Sequence, residues 1–286
     1  MKLILFISAL LSFGIANARV HASDVRFHNE NQDTTRITEI LVEAEKISNP
    51  NERILFIAEK FIDVPYVAHT LENDNGEVLT VNLDELDCTT YVETVLAMAI
   101  AAGERRTSWR DYLAALESLR YRGGELNGYP SRLHYMSDWI VDNSHRGNVV
   151  EITDRVPDIR SMTKTLDFMS RNADKYTALA DSANLQGVKN FEAGYKNHKF
   201  SYIPWNIVNN KNVKEKLQEG DIVAMLSNVK NLDITHLGIL IKDEKGVPYL
   251  LHASMGEGKV TKSKIPLAEY LRKNSMPGMR IIRIKE

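Results

Sequence analysis

Apolar residues recur at helical spacing through the first part of the chain. Ile37, Ile40 and Leu41 share one helical face and predict an amphipathic helix that begins near Thr35. The run 49–52, Asn-Pro-Asn-Glu, places a capping residue, a proline and an acid in the order that a helix start prefers. A second helix is therefore expected from residue 50 onward.

A third helix is predicted over residues 88–102, where apolar side chains lie on almost every face. This pattern is typical of a buried helix, and Gly103 supplies the expected stop. Residues 71–87 before it carry turn signals and have no helical period. They are expected to form a loop or a short hairpin.

The C-terminal part of the chain changes to short β-prone runs separated by turn residues. These runs span residues 221–226, 234–242, 248–254, 259–265 and 280–285. They predict an antiparallel sheet. Helices followed by strands indicate an α+β fold. Residues 104–212 show no clear alternation and are expected to be an insertion that elaborates this fold.

The N-terminus has the pattern of a secretory signal peptide over residues 1–22. A lysine precedes a short apolar run, and small residues follow it with candidate cleavage sites after Ala18 and Ala22. The apolar run is too short to span a bilayer, and no later segment reaches that length. The sequence thus predicts an exported protein, periplasmic or secreted, whose residues 23–286 form a single domain.

Composition narrows the possible partners of the protein. The chain has 36 Lys and Arg against 38 Asp and Glu, a formal net charge of -2, which disfavours nucleic acid as a partner. Cys88 is the only cysteine, so an internal disulfide cannot form. A lone thiol in an oxidising compartment risks mispairing, so its presence suggests that Cys88 is either deeply buried or chemically active. We expect a monomer that uses no cofactor and no metal.

Cys88 and two histidines form the candidate catalytic set. The unpaired amides and dipole of a helix start favour a thiolate, so Cys88 is a candidate nucleophile that is partly ionised at neutral pH. His236 and His252 each lie within an apolar, β-prone run. A histidine buried in a strand needs hydrogen-bond partners for its ring nitrogens. Two such histidines in consecutive strands favour a common role. The alternative is that they are two core histidines, each with its own hydrogen-bond partners.

The turn between the two histidine strands decides whether these side chains can meet. A three-residue loop over 244–246, with Gly246 in the left-handed conformation, would place Asp243 opposite Val247. His236 and His252 would then be diagonal neighbours on one face. A four-residue loop would place them on opposite faces. The catalytic interpretation therefore requires the bulged three-residue turn.

With that register, His236 can accept the Cys88 proton while His252 orients the His236 ring, as in cysteine acyl transfer. Two other classes stay open. The same three side chains could bind zinc in a metal amidase, although a motif such as His-Glu-x-x-His is missing. Alternatively, the chain could be a non-catalytic module that binds cell wall.

These motifs resemble the NlpC-like superfamily, bacterial cell-wall cysteine peptidases and amidases with a papain fold. The resemblance rests on Asp87-Cys88, on the runs 235–239 and 251–254, and on a Pro-Tyr pair ending at Tyr66. It implies that the Tyr66 hydroxyl and the Cys88 amide form an oxyanion hole. It also implies that Asp87 and Thr89 hold a substrate amine. The sequence departs from the family patterns Tyr-x-Trp-Gly-Gly and Asp-Cys-Ser-Gly, so the loops around the site differ.

Residues 131–140 resemble a specialised branch, the N-acetylmuramoyl-L-alanine amidases that act on muropeptides, the soluble fragments of peptidoglycan. This resemblance implies cleavage between the lactyl group of muramic acid and L-alanine. A γ-D-glutamyl-diamino acid endopeptidase is the alternative within the superfamily. Polar and aromatic side chains of this run are expected to line a sugar pocket. The candidates are Arg132, His134, Tyr135, Asp138 and Trp139. Tyr135 and Trp139 could instead be core residues.

Overall fold

The computed structural model of the protein describes residues 25–73 and 76–285. The signal peptide expected over residues 1–22 lies outside this range. The helices are α1 (Glu30–Ala44), α2 (Pro50–Glu59), α3 (Cys88–Gly103), α4 (Trp109–Arg120), α5 (Met136–Arg146), α6 (Phe168–Arg171), α7 (Ser182–Gly194), α8 (Lys211–Lys214) and α9 (Leu267–Lys273). The strands are β1 (Val25–Phe27), β2 (Leu79–Val81), β3 (Val149–Glu151), β4 (Arg160–Lys164), β5 (His198–Pro204), β6 (Ile222–Leu226), β7 (Ile234–Lys242), β8 (Pro248–Ser254), β9 (Lys259–Lys262) and β10 (Gly278–Ile284).

The first three helices follow the predicted pattern, with one shifted boundary. Helix α1 begins at Glu30 rather than near Thr35, because the Asn29 side chain caps it by accepting from the Gln32 amide. Helix α2 begins at Pro50, as predicted, and is capped by Asn49. Helix α3 packs against α1, α2 and α4 and contacts β7 and β8. The buried helix expected from residue 88 is thus confirmed, although it includes Gly103.

The predicted antiparallel sheet is also confirmed, and it is larger than expected. Its strand order is β4-β5-β10-β6-β7-β8-β9, with β3 paired to β10 beside this path. All of its pairings are antiparallel. Strands β7 and β8 lie near one end, where α3 packs on them. The helices therefore cover the sheet where the two histidine strands lie, consistent with the predicted α+β class.

The structure differs from the sequence-based expectations in three connecting segments. Residues 104–212 are not only an elaboration, because β3, β4 and β5 belong to the main sheet. Strands β3 and β4 have only three and five residues, too few for a clear alternation, whereas the seven residues of β5 were missed despite their length. The described part of the segment 71–87 is mainly a loop, one of its two predicted forms. Its one strand, β2, pairs in parallel with β1 rather than in a hairpin. Helix α9 was not predicted.

Among the described residues, no helix has the length and apolar character needed to cross a membrane.

Candidate active site

The N-terminus of α3 positions the candidate nucleophile. Oδ1 of Asp87 accepts hydrogen bonds from the amides of Thr89 and Thr90 at 3.0 and 2.8 Å, and the Thr90 hydroxyl reaches back to the Asp87 amide. This capping box makes Cys88 the first residue of the helix. The Cys88 side chain is partly buried beside β7, where the Leu237 amide is hydrogen-bonded to its sulfur. The thiol thus lies next to the strand that carries His236.

The turn between β7 and β8 brings the two histidines together. Gly246 has φ +72°, in the left-handed region. The Asp243 amide donates a hydrogen bond of 3.0 Å to the Val247 carbonyl across the loop. The predicted bulged turn is therefore confirmed. Nε2 of His236 lies 2.7 Å from Nδ1 of His252, a hydrogen-bonded imidazole pair. Because Nε2 of His236 is engaged in this bond, Nδ1 is the ring nitrogen of His236 that remains available for another contact.

An aromatic residue that the sequence analysis missed packs against this pair. The Tyr270 ring centroid lies 6.1 Å from that of His236, nearly parallel to it, and 5.3 Å from that of His252. Tyr270 belongs to α9, whose Leu267 and Leu271 are buried one helical turn apart. That i, i+4 spacing was the signal that could have predicted the helix.

Burial keeps the two histidines of the free protein uncharged. It lowers the pKa of His236 to about 3, and the nearby His252 adds to this effect. Burial likewise lowers the pKa of His252 to about 4, although the Glu257 carboxylate opposes the change. Both imidazoles are therefore neutral near pH 7, the form that a general base requires.

The thiolate expected at neutral pH is not supported. Burial and the adjacent Asp87 carboxylate raise the pKa of Cys88 to about 11, and these effects exceed the stabilisation by the Leu237 amide and its other hydrogen bonds. The helix start alone therefore does not ionise this sulfur. The thiol form predominates in the free protein, so attack on a substrate needs the proton to pass to a neighbouring base.

Tyr66 lies close to the start of α3. The Tyr66 amide donates a hydrogen bond to the Gly258 carbonyl at 2.8 Å. A β-bridge joins the Tyr66 backbone to Leu86, which lies two residues before Cys88. Burial and the charges of Cys88 and Asp87 raise the pKa of the Tyr66 hydroxyl to about 12. The hydroxyl therefore stays protonated and can donate a hydrogen bond near the sulfur.

A cleft of about 390 Å³ opens beside this site. Five of the residues proposed to bind substrate line it, together with several that were not predicted. The predicted set comprises Asp87, Thr89, Arg132, His134 and Tyr135, and the others include His69, Glu72, Tyr129 and Tyr176. No sequence motif marked the second group, because residues from separate segments meet only in the folded chain.

Arg132 brings a largely buried positive charge into the cleft. Only 6% of the residue is exposed, and Nη2 lies 2.9 Å from the Glu72 carboxylate. Its Nε atom lies 3.5 Å from the Glu77 carboxylate and makes no hydrogen bond. The guanidinium therefore keeps one buried N–H without a hydrogen-bond acceptor in the described residues.

Hydrogen bonds hold two residues of the cleft lining, His134 and Tyr135, in place. Nε2 of His134 lies 3.0 Å from the Tyr129 carbonyl, and burial beside Arg132 holds its pKa well below the usual value. The Tyr135 hydroxyl donates to Glu192 at 2.8 Å and accepts from the Met169 amide. These contacts fix the floor of the cleft.

Asp138 and Trp139 do not line the cleft, which corrects two of the predicted substrate contacts. Both carboxylate oxygens of Asp138 pair with the Arg122 guanidinium, at 2.8 and 2.6 Å, and one also accepts from the Tyr195 hydroxyl. Trp139 is 1% exposed and belongs to the main hydrophobic core. Helix α5 begins only at Met136, so its first turn directs these two side chains inward.

The described residues contain no group of three or more His, Cys, Asp or Glu side chains arranged to hold a metal ion. The direct His236–His252 bond is one reason. Two nitrogens bound to one tetrahedral zinc, each about 2.0–2.1 Å from it, would lie roughly 3.3 Å apart. The observed nitrogens are 2.7 Å apart. This geometry suits a nucleophile, a base and an orienting group, the set that thiol acyl transfer needs.

Comparison with known proteins places this α+β chain, with its cysteine and paired histidines, in a family. The profile of the AmiA-like, N-acetylmuramoyl-L-alanine amidase-like family matches residues 56–279. The chain belongs to this family. A search of curated proteins found no match.

Several solved structures are similar to this chain. One is an N-acetylmuramoyl-L-alanine amidase from Bacteroides uniformis, with 34% identity and a TM-score of 0.78 over 83% of this chain and 99% of that one. A Bacteroides fragilis protein described as a candidate xylanase is 35% identical, with a TM-score of 0.74 over 80% and 99% of the two chains. A Legionella pneumophila protein shares the fold at 22% identity, with a TM-score of 0.69 over 90% and 96%.

Proposed function

We propose that the protein is an exported, cysteine-dependent N-acetylmuramoyl-L-alanine amidase with an NlpC-like papain fold. Its substrate is a muropeptide, and the bond it hydrolyses joins the muramic lactyl group to L-alanine. The observation that carries the proposal is the placement of Cys88 beside β7 together with the 2.7 Å contact between His236 and His252. Family membership and the Bacteroides uniformis amidase support the choice of bond.

The reaction begins with transfer of the Cys88 proton to Nδ1 of His236. For Nδ1 to be free, His236 must carry its proton on Nε2 and donate it to Nδ1 of His252. The sulfur attacks the lactyl carbonyl carbon and forms a C–S bond. The resulting oxyanion accepts hydrogen bonds from the Cys88 amide and the Tyr66 hydroxyl.

The C–N bond then breaks, and His236 returns its proton to the departing nitrogen of L-alanine. This leaves a thioester between Cys88 and the lactyl carbonyl, while the stem peptide departs as an amine. His236 next takes a proton from water, whose oxygen attacks the thioester. Collapse of this second intermediate releases the glycan carboxylic acid and restores the Cys88 thiol.

The capping role of Asp87 weighs against the endopeptidase alternative. In that alternative, Asp87 would hold the free amine of a peptide on the acyl side. Oδ1 of Asp87 instead accepts two amide hydrogen bonds and a third from the Thr90 hydroxyl. Because these bonds stabilise the α3 N-terminus, Oδ1 already has a structural task and only Oδ2 is left to meet such an amine.

Mass spectrometry of purified muropeptides, before and after incubation, tests the proposal. The expected products are free glycan and intact stem peptide from the wild type, and none from Cys88→Ala or Cys88→Ser. A chelator should leave the wild-type rate unchanged, whereas a zinc enzyme would lose activity. Cleavage between D-glutamate and the diamino acid would instead establish the endopeptidase. Binding of muropeptides without any product would establish a non-catalytic module.

A further inference from the structure

A second and larger concavity, about 670 Å³ in volume, lies behind one wall of the catalytic cleft. It is bounded by β4, α6, α7 and the loop that precedes β7. Its lining includes five cationic side chains, namely Lys164, Arg171, Lys189, Lys196 and Lys230, and two acidic ones, Asp167 and Glu192. We call it the cationic pocket.

The acidic side chains of the cationic pocket are already engaged. Asp167 pairs with Arg171 at 2.7 Å and accepts a hydrogen bond from Asn231. Oε1 of Glu192 accepts from the Tyr135 hydroxyl and from the Ser170 amide at 3.1 Å. The Asp167 carboxylate is therefore paired with a cation, whereas the buried Glu192 carboxylate accepts hydrogen bonds from neutral groups.

Three lysines have no such compensation. Lys189, Lys196 and Lys230 are exposed, and none forms an ion pair within residues 25–73 and 76–285. They come from α7, from the segment that follows it and from the loop before β7. The formal net charge of the whole chain is -2, so this concentration of positive charge is local. A concave surface with an excess of one sign of charge attracts a ligand of the opposite sign.

A partly buried lysine holds the loop that carries one of these charges. Nζ of Lys164 donates to the carbonyls of Ser227, Leu232 and Val229 at 2.5, 2.8 and 3.2 Å. These bonds tie the loop to β4, so Lys230 is presented from a fixed backbone. The backbone on this side of the pocket is therefore held in place by hydrogen bonds.

The cationic pocket and the catalytic cleft share a wall. Met169 lines the cleft while the next residue, Ser170, lines the pocket. Leu232 lines the cleft while the preceding residue, Asn231, lines the pocket. A substrate that fills the cleft and extends past this wall would reach the lysines.

We propose that the cationic pocket binds the carboxylate groups of the stem peptide. This proposal rests on the proposed function, in which the stem peptide is the amine product. A stem peptide linked through the γ-carboxyl of D-glutamate keeps the α-carboxylate of that residue, and further free carboxylates follow at its diamino acid and terminus. The lysine ammonium groups on three separate segments complement the carboxylates of such a short peptide. Neutral glycan carries no charge that would complement them.

A charge-removing triple variant, K189A/K196A/K230A, tests the proposal. Its matched control, K46A/K211A/K216A, removes three exposed lysines that do not line the pocket. With muropeptides that carry the full stem, we expect kcat/KM of the pocket variant to fall about tenfold, mainly through KM, since each exposed contact contributes a modest share. With a substrate whose stem ends at an L-alanine amide, both variants should match the wild type.

Calorimetry with the free tripeptide L-Ala-γ-D-Glu-diaminopimelate separates this proposal from the amidase assignment. Wild-type protein should bind the tripeptide, with affinity that falls as salt rises, and should bind its fully amidated form far more weakly. Tripeptide binding can be measured whether or not the protein hydrolyses muropeptides, so its outcome does not depend on the amidase assignment. Equal binding of both peptides, or unchanged tripeptide binding by the pocket variant, would overturn the proposal. Binding of inorganic phosphate in preference to the tripeptide would do the same.

Discussion

Nε2 of His236 and Nδ1 of His252 are 2.7 Å apart, although 16 residues separate them in the sequence. The β7–β8 register makes this contact possible, since it pairs Ile239 with Leu251 and continues to the bulge at Gly246. Gly238 lies directly against His252, where an added Cβ would be 3.1 Å from that of the histidine. A small residue at this position therefore leaves room for the His252 ring to reach His236.

Different losses are expected when each histidine is replaced. His236→Ala removes the proposed general base and should lower kcat by about 100-fold or more. His252→Ala should retain more activity, because the base remains and only its orientation is lost. His252→Asn should recover part of that loss, since an amide oxygen can accept from Nε2 of His236. Single-turnover rates check this order, with melting temperatures as the folding control; equal activity of the Ala and Asn variants would contradict the orienting role.

The rate of Cys88 alkylation should depend on pH in a specific direction. The pKa of the thiol is raised to about 11, so its thiolate fraction increases with each pH unit from neutral into the alkaline range. Inactivation by iodoacetamide should therefore accelerate continuously between about pH 7 and pH 10. Free cysteine, whose ordinary pKa is about 8.5, is the reference and should reach its plateau earlier. A plateau below about pH 7 for the protein would show that Cys88 is ionised at rest.

Gly246→Val tests whether the turn sets the histidine register. Gly246 has φ +72°, and no heavy atom lies within 4 Å of the point where a Cβ would stand, so a replacement is opposed by backbone conformation alone. Valine in this conformation should cost about 1–2 kcal/mol of unfolding free energy and lower kcat as the histidines shift. Gly246→Asn should stay near wild type, because asparagine tolerates positive φ. Denaturant unfolding and steady-state kinetics measure both effects.

Trp139 should affect stability rather than substrate binding. Because it is fully buried in the core, Trp139→Ala should lower the unfolding free energy by roughly 3–5 kcal/mol. Trp139→Phe should cost less and leave KM unchanged. The cleft residue Arg132 provides the contrast, since Arg132→Met should raise KM. A raised KM for Trp139→Phe at unchanged stability would return this side chain to the substrate site.

Local patterns in the sequence determined the elements that carry the candidate catalytic groups. The Asp87 cap and the apolar run after it define the start of α3, and the turn residues around Gly246 define the hairpin. These features depend on neighbours within a few residues, so periodicity and capping rules predict them. Cys88, His236 and His252 could therefore be assigned to one site from the sequence.

Tertiary packing decided which residues around the site face substrate. Trp139 and Tyr135 looked equivalent in the sequence and both are 1% exposed, yet Trp139 lies in the main core whereas Tyr135 lies in a smaller hydrophobic cluster that borders the cleft. The ionisation of Cys88 was likewise decided by burial, which outweighs the local effect of the helix start. Glu72 and Tyr270 reach the site from distant segments. Desolvation and long-range contacts exist only in the folded chain, so local sequence patterns could not predict them.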